Sequence, residues 1–254
     1  MNNERGLSAY QIKVIAIIAM TIDHIAWMWV PAVTAAGQCM HTIGRITAPI
    51  MCYLLVEGYI HTHDVRKYTF RLGIFAVVSA FAFCFYENGT FFSGGVPGFG
   101  MIYTLFMALL MLRVYDSSLV DGWRKGTPSL RWISSLSTNT SRPGRLSLLG
   151  DWAGIGVIWP FIMYVYRDNK GRKLKLLAFT AFVFAALVAL ETALQNPMYP
   201  YAALFQFGTL LAVPILSLYN GALGGKKTGK WFFYIYYPLH MIVIRLLAEP
   251  VKSL

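Results

Sequence analysis

The feature that most constrains the fold of this chain is an apolar run from Tyr10 to Val33. A run of that length crosses the hydrocarbon core of a bilayer as one helix, which needs about 20 residues. Asp23 and His24 interrupt the run near its centre. Because an ionised Asp at mid-bilayer costs roughly 2.5–3.5 kcal/mol, the two side chains are expected to face a protein interior or a wet cavity. Successive helical residues point in different directions, so each of the two needs a partner elsewhere in the chain.

The composition is typical of a polytopic membrane protein. Of the 254 residues, 57% are hydrophobic and 13% are charged, and the mean hydropathy is +0.53. Soluble domains would need many more charged residues to cover their surfaces. The net charge of +11 would favour nucleic acid as a partner of a soluble protein. Here the basic residues lie in short connections between apolar runs, which indicates membrane topology and anionic lipid instead of nucleic acid. Cys39, Cys52 and Cys84 have no metal or redox spacing, and Cys52 and Cys84 are expected to be packing residues.

Eight apolar runs follow one another along the chain, and none has the two-residue alternation of a membrane barrel. We therefore expect an all-α, polytopic transmembrane helical bundle of about eight or nine membrane segments, forming a single domain over residues 1–254. The runs are Tyr10–Val33, Thr42–Ile60, Tyr68–Phe85, Met101–Leu112, Trp152–Tyr166, Leu174–Leu194, Tyr201–Leu218 and Trp231–Leu247.

The distribution of Lys and Arg predicts the orientation of these segments, with the N-terminus in the cytoplasm. The run at 152–166 has basic residues on both sides, so either a crossing is hidden in 129–149 or the run is re-entrant. The polar, basic stretch at 113–149 is expected to be a cytoplasmic loop. The other cytoplasmic connections are then 61–71 and 220–230, and the external ones are 34–41, 86–100 and 195–200.

Few ionisable side chains lie inside the predicted spans. Asp23 and His24 on the first span, Arg45 on the second and His240 on the final one can share a single depth in the membrane. Glu57 is placed near the cytoplasmic face, beside the basic connection at 61–71. The residues interpreted as structural, interfacial or loop residues are His41, His61, His63 and Glu191.

These residue types suit proton transfer beside an anionic donor. A His with its ordinary pKa of about 6.5 accepts and returns a proton at neutral pH, and a carboxylate can orient it or stabilise its imidazolium. Arg45 can hold an anion or polarise a carbonyl. The cationic residues Arg66, Lys67 and Arg71, next to His61, can bind phosphates. The two groups together suit either a phosphate-bearing group donor or a proton-coupled transporter.

Several short motifs are spread along most of the chain: Ile22-Asp23-His24-Ile25, the blocks Gly44–Ile50 and Leu54–His63, Lys67-Tyr68 with Arg71, Asp151-Trp152-Ala153-Gly154, and Tyr237-Pro238-Leu239-His240. Together these motifs resemble the TraX family, which is named for a protein that acetylates the N-terminus of F-type pilin. That family is similar to the wider superfamily of membrane-embedded acyltransferases.

The resemblance implies a multi-pass acyltransferase of the bacterial cytoplasmic membrane. Acetyl-CoA would serve as a co-substrate that donates the acyl group, with no bound cofactor and no metal. The acceptor would be an amine or hydroxyl at the outer face, on a protein N-terminus or a surface glycan or polymer. His24 would be the catalytic base, and the supporting catalytic residues would be Asp23, Arg45 and His240. The donor site would comprise Glu57, His61, Arg66, Lys67 and Arg71.

Two other classes of function stay open at this point. In a small proton-coupled transporter, Asp23 and His240 would form a proton relay. Transporters of that kind commonly contain inverted repeats with broken helices, and the sequence shows no convincing repeat. A non-catalytic membrane assembly factor is the third class, although it gives the clustered intramembrane polar residues no role.

Overall fold

The computed structural model describes residues 6–92, 99–116, 152, 154–225 and 229–252. Within these ranges every regular element longer than a single bridge is a helix, which confirms the all-α prediction. The predicted loop at 113–149 lies outside the described residues beyond Asp116, as does the proposed hidden crossing at 129–149. The helices are α1 (Ala9–Trp29), α2 (Ala35–Gly44), α3 (Thr47–His61), α4 (Val65–Asn88), α5 (Met101–Asp116), α6 (Ile155–Val165), α7 (Lys170–Gln195), a 3-10 helix (Leu204–Leu211), α8 (Ala212–Ser217) and α9 (Gly229–Lys252).

Five of the described helical stretches are long and apolar enough to cross a membrane. Two shorter apolar stretches, Ile155–Val165 and Leu204–Ser217, accompany them. The chain is therefore a helical protein with several membrane-spanning candidates, and the count of eight or nine segments stays a prediction. The five stretches are Ala9–Trp29, Ala35–His61, Val65–Asn88, Lys170–Gln195 and Trp231–Ala248.

Helix α1 has well-defined signals at both ends. Ser8 and Gln11 form a capping box at its N-terminus, in which each side chain accepts a hydrogen bond from the other residue's backbone N–H. At the other end Val30 is extended, as expected for a residue that precedes a proline, and Pro31 prevents the helix from continuing. The predicted first span was therefore correct apart from its final residues.

The second predicted span differs from the structure in two ways. The stretch from Ala35 to His41 was expected to be an external loop, but it is the body of α2, which begins after the capping residue Thr34. The helix is then interrupted at Arg45 and Ile46 before α3 starts. Pro49 explains the interruption, because it has no N–H to donate to the carbonyl of Arg45 and its ring clashes with that carbonyl.

A second irregular element lies in the predicted span from Tyr201 to Leu218. The chain there forms the 3-10 helix Leu204–Leu211, followed by the short helix α8. Pro214 cannot accept the α-helical geometry of the turn before it, since its ring clashes with the carbonyl of Leu210. Two predicted spans are thus discontinuous inside their apolar runs, at positions where the sequence contains proline.

The helices form two compact units. The first unit comprises Met1–Leu54 and Tyr166–Leu254, and the second comprises Leu55–Val165. In the first unit α1 packs against α2 and α9, and the 3-10 helix packs against α2 and α7. In the second unit α5 packs against α4 and α6. Cys52 and Cys84 are both fully buried, as predicted.

The segments that connect the helices of the first unit lie at its two opposite ends. At one end the N–H groups of Leu7 and Ala9 donate to the carbonyls of Leu218 and Ala222, both at 2.8 Å. At the other end the Gln38 side chain donates to the carbonyls of Ala32 and Ala202 at 2.6 and 2.9 Å. The N-terminus therefore shares an end with residues 218–223, and Gln38 shares the other end with Ala202, which follows the connection at 195–200. The distribution of Lys and Arg predicted the same grouping.

The grouping allows a direct test of orientation. In a parent with Cys39→Ser, we expect Ala36→Cys to react with a membrane-impermeant maleimide added to intact cells. Ala222→Cys is expected to react only after the membrane is permeabilised, because the basic end of the unit is predicted to face the cytoplasm. Both alanines are exposed, and the remaining cysteines are buried. The opposite pattern of labelling would contradict the predicted orientation.

Candidate functional site

The carboxylate of Asp23 binds two side chains from the second predicted span. Its Oδ1 accepts a hydrogen bond from Nδ1 of His41 at 2.8 Å, and its Oδ2 accepts one from Nη2 of Arg45 at 2.5 Å. Asp23 is only 7% exposed, and this pairing explains how an acidic side chain is tolerated within the apolar helix α1. The positive charge of Arg45 compensates the buried negative charge, and His41 satisfies the second oxygen.

The local structure of α2 brings both partners to Asp23. His41 and Arg45 are four residues apart, so they lie on the same face of a helix. Gly44 lies on this contact, since a Cβ at that position would overlap the Cβ and Cγ of Asp23. A Cβ at Gly37, seven residues earlier, would overlap the carbonyl of Pro31. Gly44 therefore allows α1 and α2 to approach closely, as small residues commonly do for helices in membranes, and Gly37 allows α2 to approach the connection that follows α1.

The placement of His41 corrects the prediction that it is an interface or loop residue. It is fully buried, and its ring lies 4.2 Å from that of Trp27 and 5.0 Å from that of Phe205, centroid to centroid. Its second nitrogen, Nε2, has no hydrogen-bond partner among the described residues. The prediction failed because the helix was expected to begin at Thr42. The four-residue spacing to Arg45 was the signal that would have identified His41.

A second polar contact joins α1 to α9. Nε2 of His240 lies 3.4 Å from Nδ1 of His24, and the two rings meet edge to face with centroids 4.9 Å apart. Nδ1 of His24 is also 2.8 Å from the carbonyl of Met20, and Nδ1 of His240 is 3.0 Å from that of Tyr236. Since a carbonyl only accepts hydrogen bonds, both Nδ1 atoms carry hydrogen.

These contacts fix the tautomers of the two neutral imidazoles. With hydrogen on Nδ1, each ring has its lone pair on Nε2. The N–H of His24 is then shared between the carbonyl of Met20 and Nε2 of His240. The basic nitrogen of His24 is its Nε2, on the opposite side of the ring from this shared hydrogen. The pair has the arrangement of a base whose second nitrogen is oriented by a neighbour.

Tyr236 holds His240 in this position. Its ring stacks on the imidazole with the planes 7° apart and the centroids 5.2 Å apart. Its hydroxyl lies 2.8 Å from Oγ1 of Thr21, which itself donates to the carbonyl of Ile17. The Tyr236 hydroxyl is therefore the donor in its contact with Thr21. This bond connects α9 to α1 about one helical turn from the histidine pair.

The structure thus brings together all four residues that were predicted to be catalytic, within the first unit. Asp23 bonds to Arg45, and His24 contacts His240. The sequence predicted that Asp23 and His24 point in different directions, and in the structure Asp23 bonds to residues of the second predicted span while His24 contacts α9. A buried ion pair and a histidine pair therefore lie side by side on one helix.

The residues predicted to bind the donor belong to the second unit. Nδ1 of His61 hydrogen-bonds to the carbonyl of Glu57 at 2.9 Å, and the guanidinium of Arg71 lies over the ring of Tyr68. Asp64 accepts a hydrogen bond from the backbone N–H of Lys67, which holds the pKa of that carboxyl below its ordinary value. Nζ of Lys67 is 3.3 Å from the same carboxylate. Asp64 therefore offsets part of the charge of Lys67. The role of these residues in donor binding stays a prediction.

Comparison with known proteins agrees with the family resemblance of the sequence motifs. A family model described as TraX protein matches residues 8–248, which confirms the resemblance seen in the motifs. The chain is 29% identical to a probable fimbrial assembly protein FimC, serogroup H1, from Dichelobacter nodosus; the match covers 96% of this chain and 97% of that protein. No solved structure gives a significant match. No group of three His, Cys, Asp or Glu side chains in the described residues is arranged to hold a metal ion.

The ion pair between Asp23 and Arg45 is expected to contribute to the thermal stability of the protein. Asp23→Asn leaves the Arg45 guanidinium without its compensating charge, and breaking a buried pair in this way typically costs about 3–5 kcal/mol. We expect a large fall in the thermal unfolding midpoint in detergent. Asp23→Asn combined with Arg45→Gln removes both charges and should recover more than half of the loss.

Glu191→Gln is the matched control, because the Glu191 carboxylate lies on an exposed face of α7 and accepts a hydrogen bond from the side chain of Gln195. It should leave the midpoint nearly unchanged. Equal losses in the single and double variants would show that the charge balance between Asp23 and Arg45 does not stabilise the fold.

Proposed function

This chain belongs to the TraX family, and on that premise we propose that it is an integral membrane acyltransferase. It moves an acetyl group from cytoplasmic acetyl-CoA to an amine or hydroxyl at the outer face of the bacterial cytoplasmic membrane. The observation that carries the proposal is the His24–His240 contact at 3.4 Å beside the Asp23–Arg45 ion pair. Such groups are costly inside a membrane span and mark functional sites there.

His24 is the general base of the proposed reaction. As the acceptor attacks the thioester carbonyl, its proton passes to Nε2 of His24. A new C–N or C–O bond forms, the C–S bond breaks, and His24 returns the proton to the departing CoA thiolate. The products are the acetylated acceptor and CoA with a free thiol. No oxidant or metal is needed to balance this step.

The surrounding residues support the charges that develop. When His24 becomes an imidazolium, its Nδ1–H donates to the carbonyl of Met20 and to Nε2 of His240, which stabilises the positive charge. Arg45 polarises the acyl carbonyl and stabilises the oxyanion. Asp23 keeps the guanidinium charge compensated while the site is empty.

The donor would bind through the segment of the second unit that contains Glu57, His61, Arg66, Lys67 and Arg71. Its guanidinium groups suit the phosphates of CoA, because they bind phosphate oxygens bidentately. This segment is predicted to face the cytoplasm, where acetyl-CoA is made. Phosphate contacts are the same in the ground state and the transition state, so they contribute to affinity more than to turnover.

The acceptor we favour is the N-terminal amine of a fimbrial or pilin subunit. The relative from Dichelobacter nodosus is described as a fimbrial assembly protein, and acetylation of a subunit would be one step in such assembly. A hydroxyl on a surface glycan or polymer is the other acceptor compatible with the same chemistry. Both nucleophiles lose one proton as they are acylated, which is what His24 requires.

A proton-coupled transporter is the second candidate, and one observation favours it. The α2–α3 segment is interrupted at Arg45, and the element that packs on α2 is a 3-10 helix. Broken helices near charged residues are common at the binding sites of transporters. In that case His24 and His240 would relay protons without any turnover of acetyl-CoA.

The histidine pair distinguishes the two candidates. His24→Ala should lower acetyl transfer by about 10²–10⁴-fold, the usual contribution of a positioned general base. The measurement follows labelled acetyl-CoA in proteoliposomes, both as hydrolysis to acetate and as transfer to a synthetic peptide with a free N-terminus. The unfolding midpoint should stay near that of the wild type.

His63→Ala, at an exposed position between α3 and α4, is the matched control and should retain normal activity. Near-normal transfer by His24→Ala would reject the catalytic assignment. Proton uptake by the wild type without any turnover of acetyl-CoA would favour the transporter.

The donor site is tested separately. Arg66→Gln combined with Arg71→Gln should raise the KM for acetyl-CoA by at least tenfold and change kcat by less than threefold, because lost phosphate contacts weaken binding uniformly. Arg172→Gln with Lys175→Gln removes the same charge from another exposed basic segment and should change neither constant. A collapse of kcat at unchanged KM would contradict the assignment of Arg66 and Arg71 to donor binding.

A further inference from the structure

His41 is the polar residue of the site to which the proposed reaction gives no role. It is fully buried, it donates from Nδ1 to Oδ1 of Asp23 at 2.8 Å, and Trp27 and Phe205 pack against its ring. Its Nδ1 is the donor because the ionised carboxylate has no hydrogen to give. Among the described residues, its hydrogen bond goes to Asp23 and its ring contacts go to Trp27 and Phe205, with none to the histidine pair.

Simple packing does not account for an imidazole here. Nε2 of His41 is buried and has no hydrogen-bond partner among the described residues, and burial of an unsatisfied polar atom is unfavourable. A phenyl ring would fill the same space between Trp27 and Phe205 without that cost. What the imidazole adds to the site is the Nδ1–H that binds Asp23.

That hydrogen bond determines how Asp23 holds Arg45. A carboxylate and a guanidinium often pair through two parallel hydrogen bonds, which would engage both oxygens of the acid. Here His41 occupies Oδ1, and Nη2 of Arg45 binds Oδ2. With two donors from one face of α2, the carboxylate is fixed in rotation, and the guanidinium is held in one orientation over the ring of Phe205.

We propose that His41 is a positioning residue, which fixes the carboxylate of Asp23 and through it the guanidinium of Arg45 beside the His24–His240 pair. The inference rests on the proposed acyl transfer, in which Arg45 stabilises the oxyanion. An oxyanion donor must be held in place before charge develops, since its stabilisation depends on preorganisation. At metal sites, loss of the outer partner that orients a ligand typically costs about 10–100-fold in affinity or activity, and we expect a comparable cost here.

Two variants separate the donor from the ring. His41→Asn places an amide N–H near the position of Nδ1, and His41→Phe keeps an aromatic ring but has no donor. We expect His41→Phe to lower the kcat of acetyl-CoA hydrolysis by about 10–100-fold with less than a twofold change in KM. His41→Asn should retain at least a third of the wild-type kcat. Trp27→Phe alters the packing around His41 without removing the donor, and it should stay within threefold of the wild type.

A double-mutant cycle tests whether His41 acts through Arg45. In an Arg45→Gln background, His41→Phe should lower kcat by less than threefold more, because there is no guanidinium left to orient. Full additivity of the two losses would overturn the proposal. Equal losses in His41→Asn and His41→Phe would also overturn it, because they would show that the ring and not the donor is required.

The same cycle on the thermal unfolding midpoint does not depend on turnover. His41→Phe and Arg45→Gln should be coupled in stability if Asp23 connects them, and additive if His41 only packs. Coupling without any turnover of acetyl-CoA by the wild type would reject the acyltransferase and retain the positioning of Arg45 by His41. Additive midpoints in a protein that turns over acetyl-CoA would reject the positioning role alone.

Discussion

The bond between Asp23 and Arg45 is the interaction on which the arrangement of the first unit depends. An ionised carboxylate in the middle of an apolar helix is tolerated only when an opposite charge reaches it, and Arg45 reaches it at 2.5 Å. This requirement brings α2 against α1, where Gly44 leaves no side chain to separate the backbones. Once α2 lies there, His41 is buried in the same contact, and the 3-10 helix covers its other side with Phe205.

The ion pair and the histidine pair use adjacent residues of α1 and contact different helices. Asp23 faces α2 and His24 faces α9, so α1 supplies the residue that compensates charge and the proposed residue that carries the proton. The two partners of α1 are held by different contacts: α2 by the Asp23–Arg45 bond and the close approach at Gly44, and α9 by the bond between Thr21 and Tyr236.

The sequence was sufficient for the helical class and for identifying four residues that the structure brings together, because both follow from the cost of unpaired polar groups in a membrane. Asp23, His24, Arg45 and His240 stand out in apolar runs whatever the details of the fold. His41 could not be identified in the same way, because its position depended on where α2 begins. Thr34 caps that helix, and a capping residue beside Pro31 reads equally well as part of a turn. The discontinuities were also missed, although Pro49 and Pro214 mark them, since a proline in an apolar run is compatible with a kinked but continuous helix.

The separation of the two histidines along the chain has a consequence for biogenesis. His24 and His240 are 216 residues apart, so the pair cannot exist until the ribosome has passed residue 240 and α9 has entered the membrane. Until then Asp23 on α1 can bind His41 and Arg45, but His24 on α1 lacks its contact with α9. A nascent chain released before residue 240 would contain Asp23, His41 and Arg45 but not the partner of His24. The contact between the two histidines therefore forms only late in synthesis.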